Sequence, residues 1–299
     1  MIDSFETQVA PFRTELLAHC YRMTGALSDA EDALQEAFVR AWRALESFKG
    51  NSTLRTWLYR ITTNTCLDLL ADRRARTMPE RHGPPGQTET TDDPPWLEPF
   101  PDALLGDRPD DALATREAVR LAFIVSLQVL PPRQRATLIL REVVGMSAEE
   151  TAMTLDTSVA AINSALQRAR EALESQPRAK PGPVGKAVAE LLGRYLAAWE
   201  AGDASQLIAL LRSDAIFSMP PLPLWVQGPQ PIADLITQLI FSRGALKMVP
   251  CRANGSPAFA VYQNDELAAV SVLDLDGDSI AAIHSFLAMG SRIDLTRFL

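Results

Sequence analysis

Four polar side chains near the middle of the chain have the chemistry of a nucleic-acid contact. Asn163, Ser164, Gln167 and Arg168 supply two amides, a hydroxyl and a guanidinium group. Amides and guanidinium groups form paired hydrogen bonds with base edges in the major groove, and all of these groups can also bind phosphates. Their spacing places them on one helix, so the surrounding elements must present that helix to a groove.

The segment around these residues has the signals of a helix-turn-helix. Pro131-Pro132 favours a helix start because a first-turn residue needs no amide donor, and Gly145 favours the end of that helix. Ser147-x-x-Glu150 is a capping box that predicts a short second helix. The third helix has an apolar side formed by Ile162, Ala165, Leu166, Ala169 and Leu173. This order of elements suits insertion into a major groove, although an ordinary helical hairpin has the same periodicity.

A resemblance favours the DNA-binding alternative. LPPRQRATLILREVVGMSAEETAMTLDTSVAAINSALQRAREAL resembles the region of extracytoplasmic-function (ECF) sigma factors that reads the −35 promoter element. The Pro-x-x-x-Arg opening and the Leu166-Gln167-Arg168-Ala169-Arg170 close carry the match. The resemblance implies that Asn163, Ser164, Gln167 and Arg168 contact DNA. Asn163 and Ala165 depart from the basic residues of many relatives, so we expect fewer phosphate contacts and a different −35 preference.

Residues 1–77 are predicted to form a helical module. Ser28-x-x-Glu31 is a second capping box, and a helix with an apolar stripe should follow it. The expected buried residues are Ala30, Ala33, Leu34, Ala37, Phe38, Ala41, Trp42 and Leu45. The opposite face presents Asp29, Asp32, Gln35 and Glu36. A further helix begins after Thr53 and is expected to keep Trp57 in the core.

This module is similar to the second conserved region of the same ECF branch, through DAEDALQEAFVRAWRALESFKGNSTLRTWLYRITTNTCLDLLADRRAR. The resemblance implies that Asp29, Asp32, Gln35 and Glu36 bind the clamp helices of the polymerase β′ subunit. It also implies a pocket for a flipped −10 base, whose unstacking must be offset by contacts to the base. Phe48 and Ile61 would form its walls, Asn64 would read the base edge, and arginines including Arg55 and Arg60 would hold phosphates. A solvated acidic face and plain core packing of Phe48 and Ile61 are the alternatives.

The charge distribution removes an objection to DNA binding. The chain of 299 residues has a net charge of −8, which disfavours phosphate contacts, but residues 78–112 alone carry nine acidic and two basic residues. This proline-rich segment is predicted to be a linker with one anchored aromatic patch at Trp96 and Phe100. By the resemblance it would thread through the polymerase toward the RNA exit path, and a flexible spacer is the alternative.

Beyond a second linker the pattern changes from helices to strands. Runs at 215–219, 257–263, 267–275 and 279–287 predict an antiparallel sheet, after helices at about 186–201 and 204–212. YLAAWEAGDASQLIALLRSDAIFSMPPLP and ANGSPAFAVY resemble the cone-shaped SnoaL-like family. Some members of that family are cyclases or isomerases with an interior pocket. Candidate pocket residues are Trp199, Phe217, Met219, Trp225, Tyr262, His284 and Phe286, with ordinary core packing as the alternative.

The sequence therefore predicts a multidomain protein with two all-α domains followed by an α+β SnoaL-like domain. The expected boundaries are 1–77 for sigma region 2, 78–112 and 177–185 for linkers, 113–176 for sigma region 4 and 186–299 for a regulatory domain. As a whole the chain resembles sigma-G-like sigma factors, whose fused extension is thought to regulate activity in cis. This resemblance implies core RNA polymerase and promoter DNA as partners, with a small-molecule ligand of the third domain as a further hypothesis.

Two other functions stay open from the residues alone. One is a small-molecule isomerase or cyclase with an accessory DNA-binding part, and the other is a repressor that acts without polymerase. We expect no catalytic residues, metal or cofactor, because no nucleophile-base set or ligand cluster appears among the residues. The three cysteines suggest neither disulfides nor zinc, and the lack of a signal peptide or apolar span predicts a cytoplasmic protein without a membrane partner.

Overall fold

The structure, a computed structural model, describes residues 2–48, 50, 52–71, 73–81, 84–86, 95–106, 117–174, 186–289 and 294–299. Contacts divide the chain into two compact units. The first comprises Met1–Arg76 and Leu104–Arg178, and the second comprises Thr77–Ala103 and Ala179–Leu299. Each unit therefore takes a part of the segment that the sequence predicts to be a linker.

The first unit begins with four helices: α1 (Ile2–Val9), α2 (Arg13–Thr24), α3 (Leu27–Ala44) and α4 (Leu54–Leu70). Helix α2 ends at Gly25, whose positive φ of 74° provides the left-handed C-cap. The predicted capping box at Ser28 is wrong: α3 begins at Leu27, and its N-cap is Ala26, which has no side-chain cap. The chain reverses direction at Gly25, and the N-cap lies two residues before the predicted one.

The second half of this unit contains α5 (Leu121–Leu127), α6 (Pro132–Leu138), α7 (Ala148–Thr154) and α8 (Val159–Glu174). Helix α6 continues as a π turn over Ile139–Val143. Gly145 then ends it in the left-handed region with a φ of 79°, as predicted. The predicted capping box is confirmed, because Ser147 accepts from the Glu150 amide and Glu150 accepts from the Ser147 amide.

A buried arginine ties these halves of the first unit together. Arg135 of α6 is only 2% exposed, and burial lowers the pKa of its guanidinium group to about 10. Its Nη1 donates to the Gln128 side chain at 2.7 Å and also to the carbonyl oxygen of Met23 at the end of α2. Its Nη2 donates to the carbonyl oxygen of Leu130 at 3.1 Å. These bonds from Nη1 and Nη2 fix the start of α6 against α2.

The second unit has helices on one face of a six-stranded sheet. Its helices are α9 (Lys186–Glu200), α10 (Ala204–Ile208) and α11 (Pro229–Leu235). Its strands are β1 (Leu211–Ser218), β2 (Trp225–Gln227), β3 (Leu246–Ala253), β4 (Ser256–Gln263), β5 (Glu266–Asp276) and β6 (Ser279–Leu287). The strand order is β2-β1-β6-β5-β4-β3. All neighbours are antiparallel except β1 and β6, so the sheet is mixed rather than purely antiparallel.

The two faces of this sheet have different covers. Phe217, Ile283 and Leu273 are paired across β1, β6 and β5 and belong to the core beneath the helices. Their neighbours Ser218 and His284 are also paired and point to the opposite face, because successive side chains alternate. This second face is also buried at His284, which is 6% exposed.

Part of the predicted linker packs on the second unit's sheet. Met78 and Phe100 have no exposed surface, and Trp96 is 8% exposed, so the predicted aromatic anchor is confirmed. Phe100 donates its amide to Asn254 Oδ1 at 2.9 Å, and Asn254 returns its amide to the carbonyl oxygen of Phe100 at 2.8 Å. Asp102 accepts from the Gly255 amide at 2.7 Å. Phe100 and Asp102 are thus held by specific bonds to the β3–β4 turn.

The sequence correctly predicts the helical first unit and the α+β second unit. Four predicted strands exist, and the Asp276-Gly277 turn joins β5 to β6 with a positive φ of 64° at Gly277. The prediction of a helix over 204–212 is wrong at its end, because residues from Leu211 onward form β1. Strands β2 and β3 are not predicted, and Pro250 lies inside β3 at the sheet edge, where its missing amide is tolerated.

Candidate nucleic-acid interface

The four residues on which the DNA-binding prediction rests lie together on the outer side of α8. Asn163, Ser164, Gln167 and Arg168 are all exposed, while Ile162, Leu166 and Ala169 are buried beneath them. Arg168 Nη1 donates to Ser164 Oγ at 2.7 Å, and Gln167 Nε2 donates to Glu171 Oε1 at 2.9 Å. Both bonds are exposed and local, so both side chains can exchange them for bases or phosphates at little cost.

The α7–α8 turn gives this helix a fixed orientation. Asp156 has a positive φ of 49°, and Ser158 caps the start of α8 by accepting from the Ala161 amide at 3.2 Å. At the far end, Arg170 Nε donates to Glu142 Oε1 at 2.6 Å and joins α8 to the turn after α6. A short helix, a tight turn and a longer helix with a free polar face form the geometry of a groove-binding helix-turn-helix.

An aromatic pair marks the second candidate site. The rings of Phe48 and Trp57 lie 4.9 Å apart between centroids, tilted by 36°. The prediction that Trp57 belongs to the core is wrong, because it is only half-buried and stacks on Phe48. Ile61 and Asn64 follow on the same face of α4 at helical spacing and are also half-buried. The structure thus brings Phe48, Ile61 and Asn64 near one surface and adds Trp57.

Asn64 already has a partner within the first unit. Its Nδ2 donates to the carbonyl oxygen of Thr154, the last residue of α7, at 3.3 Å. The side-chain amide predicted to read a base therefore contacts the helix-turn-helix.

The two arginines predicted to hold phosphates differ in their surroundings. Arg60 is exposed on α4. Arg55 instead donates to both carboxylate oxygens of Glu15 on α2, at 2.8 Å and 3.1 Å, and its guanidinium lies 4.9 Å from the ring centre of Tyr59. This bidentate ion pair beside an aromatic ring positions α4 on α2, so Arg55, which was predicted to hold a phosphate, already has a partner within the first unit.

Of the four residues predicted to bind polymerase, Asp32, Gln35 and Glu36 are exposed on α3 but Asp29 is not. Asp29 is 3% exposed and bonds Arg73 at 2.7 Å and Arg76 at 2.6 Å. Burial alone would raise the pKa of its carboxyl group, but the bonds to Arg73 and Arg76 outweigh burial and lower it. The prediction of an exposed Asp29 is therefore corrected: it anchors the chain after α4.

An apolar groove beside these residues was not predicted. It has a volume of about 970 Å³ and is lined by α1 and α3, with Phe5, Val9, Gln35, Phe38 and Trp42 among its residues. Trp42 is 48% exposed and Val39 is 36% exposed, so the prediction that Trp42 is buried is wrong. Phe38, Val39 and Trp42 make the apolar surface of α3 wider than a single buried stripe. This extra width is the sequence signal that could have predicted the groove.

The candidate pocket of the third domain does not form as predicted. Trp199, Phe217 and Met219 belong to the packed core under the helices. Trp225 and His284 are paired with Ser218 on the other face of the sheet, and Phe286 shares that face because it lies two residues after His284. Tyr262 is half-buried beside a bulge in β4. Residues on opposite faces of one sheet cannot line one cavity, so this set is corrected.

His284 has polar neighbours on its own face. Its Nδ1 lies 2.8 Å from Ser218 Oγ and 3.9 Å from Glu80 Oε1, and its Nε2 lies 4.0 Å from Asp274 Oδ2. Glu80 belongs to the 3₁₀ turn Pro79–Arg81 of the predicted linker. These contacts add a polar link between that segment and the sheet.

Within the described ranges, no group of three or more His, Cys, Asp or Glu side chains is arranged to hold a metal ion. In the same ranges no helix is long and apolar enough to cross a membrane.

Comparisons with known proteins address both halves of the first unit. The family model of sigma-70 region 2 matches residues 9–76, and that of sigma-70 region 4 matches residues 120–173. The ECF RNA polymerase sigma factor SigG of Mycobacterium tuberculosis is 44% identical over 301 aligned positions, which cover 95% of this chain and 81% of SigG. The sigma factor SigJ of the same species is 33% identical over 69% of this chain and 62% of SigJ.

A solved structure matches nearly the whole chain. The crystal structure of SigJ aligns with a TM-score of 0.64 at 24% identity and covers 98% of this chain and all of that one. At this identity the match shows a shared fold.

Proposed function

The chain belongs to the ECF branch of the sigma-70 family and is an RNA polymerase sigma factor, and from this premise we propose which of its surfaces perform each task. We propose that α8 reads the −35 element, with Asn163 and Gln167 on base edges and Ser164 and Arg168 on phosphates or bases. The exposed polar face of α8 above a buried apolar side supports this assignment. The sigma region 4 model covers the same residues.

The surface of Phe48, Ile61 and Asn64 is proposed to receive a base of the −10 strand, with Trp57 as an additional aromatic wall. The half-buried aromatic pair supports this role, because a base that leaves its stack needs an aromatic or apolar partner. Arg60 is the proposed phosphate contact here. Arg55 is assigned to positioning α4 through Glu15.

Core polymerase is proposed to bind at α3 and the adjoining groove. Asp32, Gln35 and Glu36 supply the polar rim, and Phe38 and Trp42 supply the apolar centre, which is the usual anatomy of a protein interface. Asp29 takes no part because Arg73 and Arg76 already neutralise it.

The domain at 186–299 is proposed to regulate the sigma factor in cis by holding the segment between the two DNA-binding regions. The bonds of Phe100 and Asp102 to Asn254 and Gly255 support this role. A segment held on a sheet is not free to follow a path through polymerase. The sequence of the domain resembles the SnoaL-like family, but we propose no ligand for it, because its candidate pocket residues are divided between the two faces of the sheet.

Run-off transcription tests these assignments together. The full chain is mixed with core polymerase and a promoter library, and specific transcripts are expected. Asn163→Ala and Gln167→Ala should each change the −35 preference, whereas Lys186→Ala, an exposed substitution outside the proposed surfaces, should not. If the native chain forms no holoenzyme with core polymerase, the polymerase assignment is refuted. If Asn163→Ala and Gln167→Ala leave the −35 preference unchanged, the role of α8 is refuted.

The regulatory role has its own test in the full chain. Asn254→Gly removes the side-chain oxygen that accepts from Phe100 while easing the positive φ of 53° at this position. If the linker contact controls activity, this variant changes transcript yield from a fixed promoter without changing the promoter preference. An unchanged yield would contradict regulation through this contact.

A further inference from the structure

A short parallel pairing closes the linker on itself. The Thr77 amide donates to the carbonyl oxygen of Pro95, and the Leu97 amide donates to that of Thr77, each at 3.0 Å. Thr77 and Trp96 therefore face each other as a parallel bridge. Pro95 has no amide hydrogen but keeps its carbonyl oxygen, so it suits the acceptor position. We call this pair of bonds the clip.

Buried side chains protect both strands of the clip. Met78 has no exposed surface, and Trp96 and Leu97 are 8% and 2% exposed. Backbone hydrogen bonds in contact with water open most easily, whereas bonds beside buried apolar side chains open only when that packing is lost. The clip is therefore a packed part of the second unit, to which Thr77–Ala103 belongs.

The chain between the two strands of the clip is also bound to the sheet. The 3₁₀ turn Pro79–Arg81 contacts β1 and β2. Within this turn, Glu80 Oε1 lies 3.9 Å from His284 Nδ1. The Gly86 amide donates to the carbonyl oxygen of Trp225 in β2 at 2.8 Å. The third domain thus holds the linker at the clip and at two further places between its strands.

The clip shortens the path between the two DNA-binding regions. From Arg76, at the end of sigma region 2, to Leu121, at the start of α5, about 45 residues span about 150 Å when fully extended. The clip bypasses about 19 of these residues, or about 65 Å of chain, with one strand spacing of about 5 Å. The clipped linker therefore reaches at most about 90 Å.

We propose that the third domain keeps the clip closed in the holoenzyme, and that the reach of the clipped linker limits the spacing of −10 and −35 elements that the sigma factor accepts. This inference rests on the proposed promoter-reading roles of α4 and α8. The clip itself is independent of those roles, because its bonds lie within the second unit. Residues between the strands of the clip add nothing to the reach, whereas residues beyond the clip extend it.

Two matched insertions test this proposal in the full chain. Gly86 lies between the strands of the clip and Gly106 lies beyond it, and both are exposed with a positive φ, of 82° and 72°. An insert of about eight Gly and Ser residues after either glycine adds up to about 27 Å of chain. Each variant is combined with core polymerase, and run-off transcripts are measured on promoters whose spacer grows by one base pair at a time.

The two insertions should act differently. The insertion after Gly106 should lengthen the longest accepted spacer by up to about eight base pairs, because each base pair adds about 3.4 Å. The insertion after Gly86 should leave the spacer preference of the native chain unchanged. An equal shift from both insertions would show that the clip is open in the holoenzyme and would overturn the proposal. No shift from either would show that the reach of the linker is not limiting, which also overturns it.

A backbone variant opens the clip without changing the length of the chain. Thr77→Pro removes the amide that donates to Pro95, and Thr77→Ala is the control because it keeps both backbone bonds. Thr77→Pro should speed hydrogen exchange of the Leu97 amide about tenfold or more. It should also shift the longest accepted spacer in the same direction as the insertion after Gly106. Faster exchange with an unchanged spacer preference, or unchanged exchange, would refute the proposal. Should Thr77→Pro fail to fold by circular dichroism, the insertion pair decides alone.

The native chain distinguishes these failures from failure of the proposed function. If its transcription does not depend on the −35 sequence, the role of α8 is refuted and the spacing proposal with it. If that dependence is present and the insertion after Gly106 has no effect, only the proposal about the linker is wrong. Exchange of the Leu97 amide reports the clip in either case.

Discussion

Replacing Asp102 by alanine should release the linker segment from the third domain. Asp102 Oδ1 accepts from the half-buried Gly255 amide at 2.7 Å, and Oδ2 accepts from Arg252 Nε at 3.1 Å. A hydrogen bond to a charged acceptor contributes about 1.5–3 kcal/mol. The Arg252 side chain is 49% exposed, so its ion pair adds only a few tenths of a kcal/mol after solvent screening. The loss should be about 2–3 kcal/mol, or about 30- to 150-fold in the local opening equilibrium.

Amide hydrogen exchange measures this opening directly. The Phe100 amide donates to Asn254 and the Leu97 amide donates to the carbonyl oxygen of Thr77, so both should exchange about 30- to 150-fold faster in Asp102→Ala. Amides in the centre of β5 should not change. Asp234→Ala removes a carboxylate from the exposed side of α11 and serves as the matched control. Unchanged exchange at Phe100 and Leu97 would show that Asp102 does not hold the segment and would refute this reasoning.

Three further predictions test other parts of the molecule. Trp42→Ala should weaken binding to core polymerase by about 2 kcal/mol or more, which is roughly 30-fold, because aromatic residues at the centre of an interface contribute most of the binding energy. A fluorescence titration measures this affinity, and an unchanged affinity would exclude the groove from the interface. Ser147→Ala removes the cap of α7 and should cost about 1 kcal/mol in chemical unfolding, and a loss below a few tenths would contradict the role of the cap. His19 is fully buried, and burial lowers its pKa to about 3. In the unfolded chain this side chain binds a proton near pH 6.5, whereas in the folded chain it does not, so the free energy of unfolding should fall by about 2 kcal/mol between pH 7 and pH 5. His19→Gln should remove this dependence of the unfolding free energy on pH. If the dependence persists in the variant, other groups cause it.

Local signals were sufficient to predict the helix-turn-helix. Pro132, Gly145 and the Ser147–Glu150 capping box each act within a few residues of where they stand, and the structure has them in those roles. The exposed positions of Asn163 and Gln167 follow from the same periodicity. A capping box is not a sufficient signal when a stronger one is adjacent. At Ser28 the left-handed Gly25 and its turn begin the helix earlier.

Long-range packing explains the predictions that failed. Trp42 has the spacing of a buried residue, but the helix that faces it, α1, leaves a groove rather than a filled core. His284 and Phe217 lie in neighbouring strands, and only the register of β1 with β6 shows that they face opposite sides. The linker is rich in proline and acid, which correctly predicts little helix in residues 78–81, 84–86 and 95–106, the parts of it that the structure describes. Its attachment to Asn254 depends on a turn about 150 residues away in the chain.

Contacts between side chains and the backbone were the least predictable from sequence. Arg135 stands in the Pro-x-x-x-Arg opening, where its type suggests phosphate binding, yet its partners are an amide side chain and carbonyl oxygens. Every residue carries such a carbonyl, so no residue type marks the partner in the sequence. The same holds for Arg22 with Ala118 and Asn64 with Thr154. A sequence of this family therefore indicates which side chains can bind DNA, but only the folded structure shows which of them already donate to the backbone.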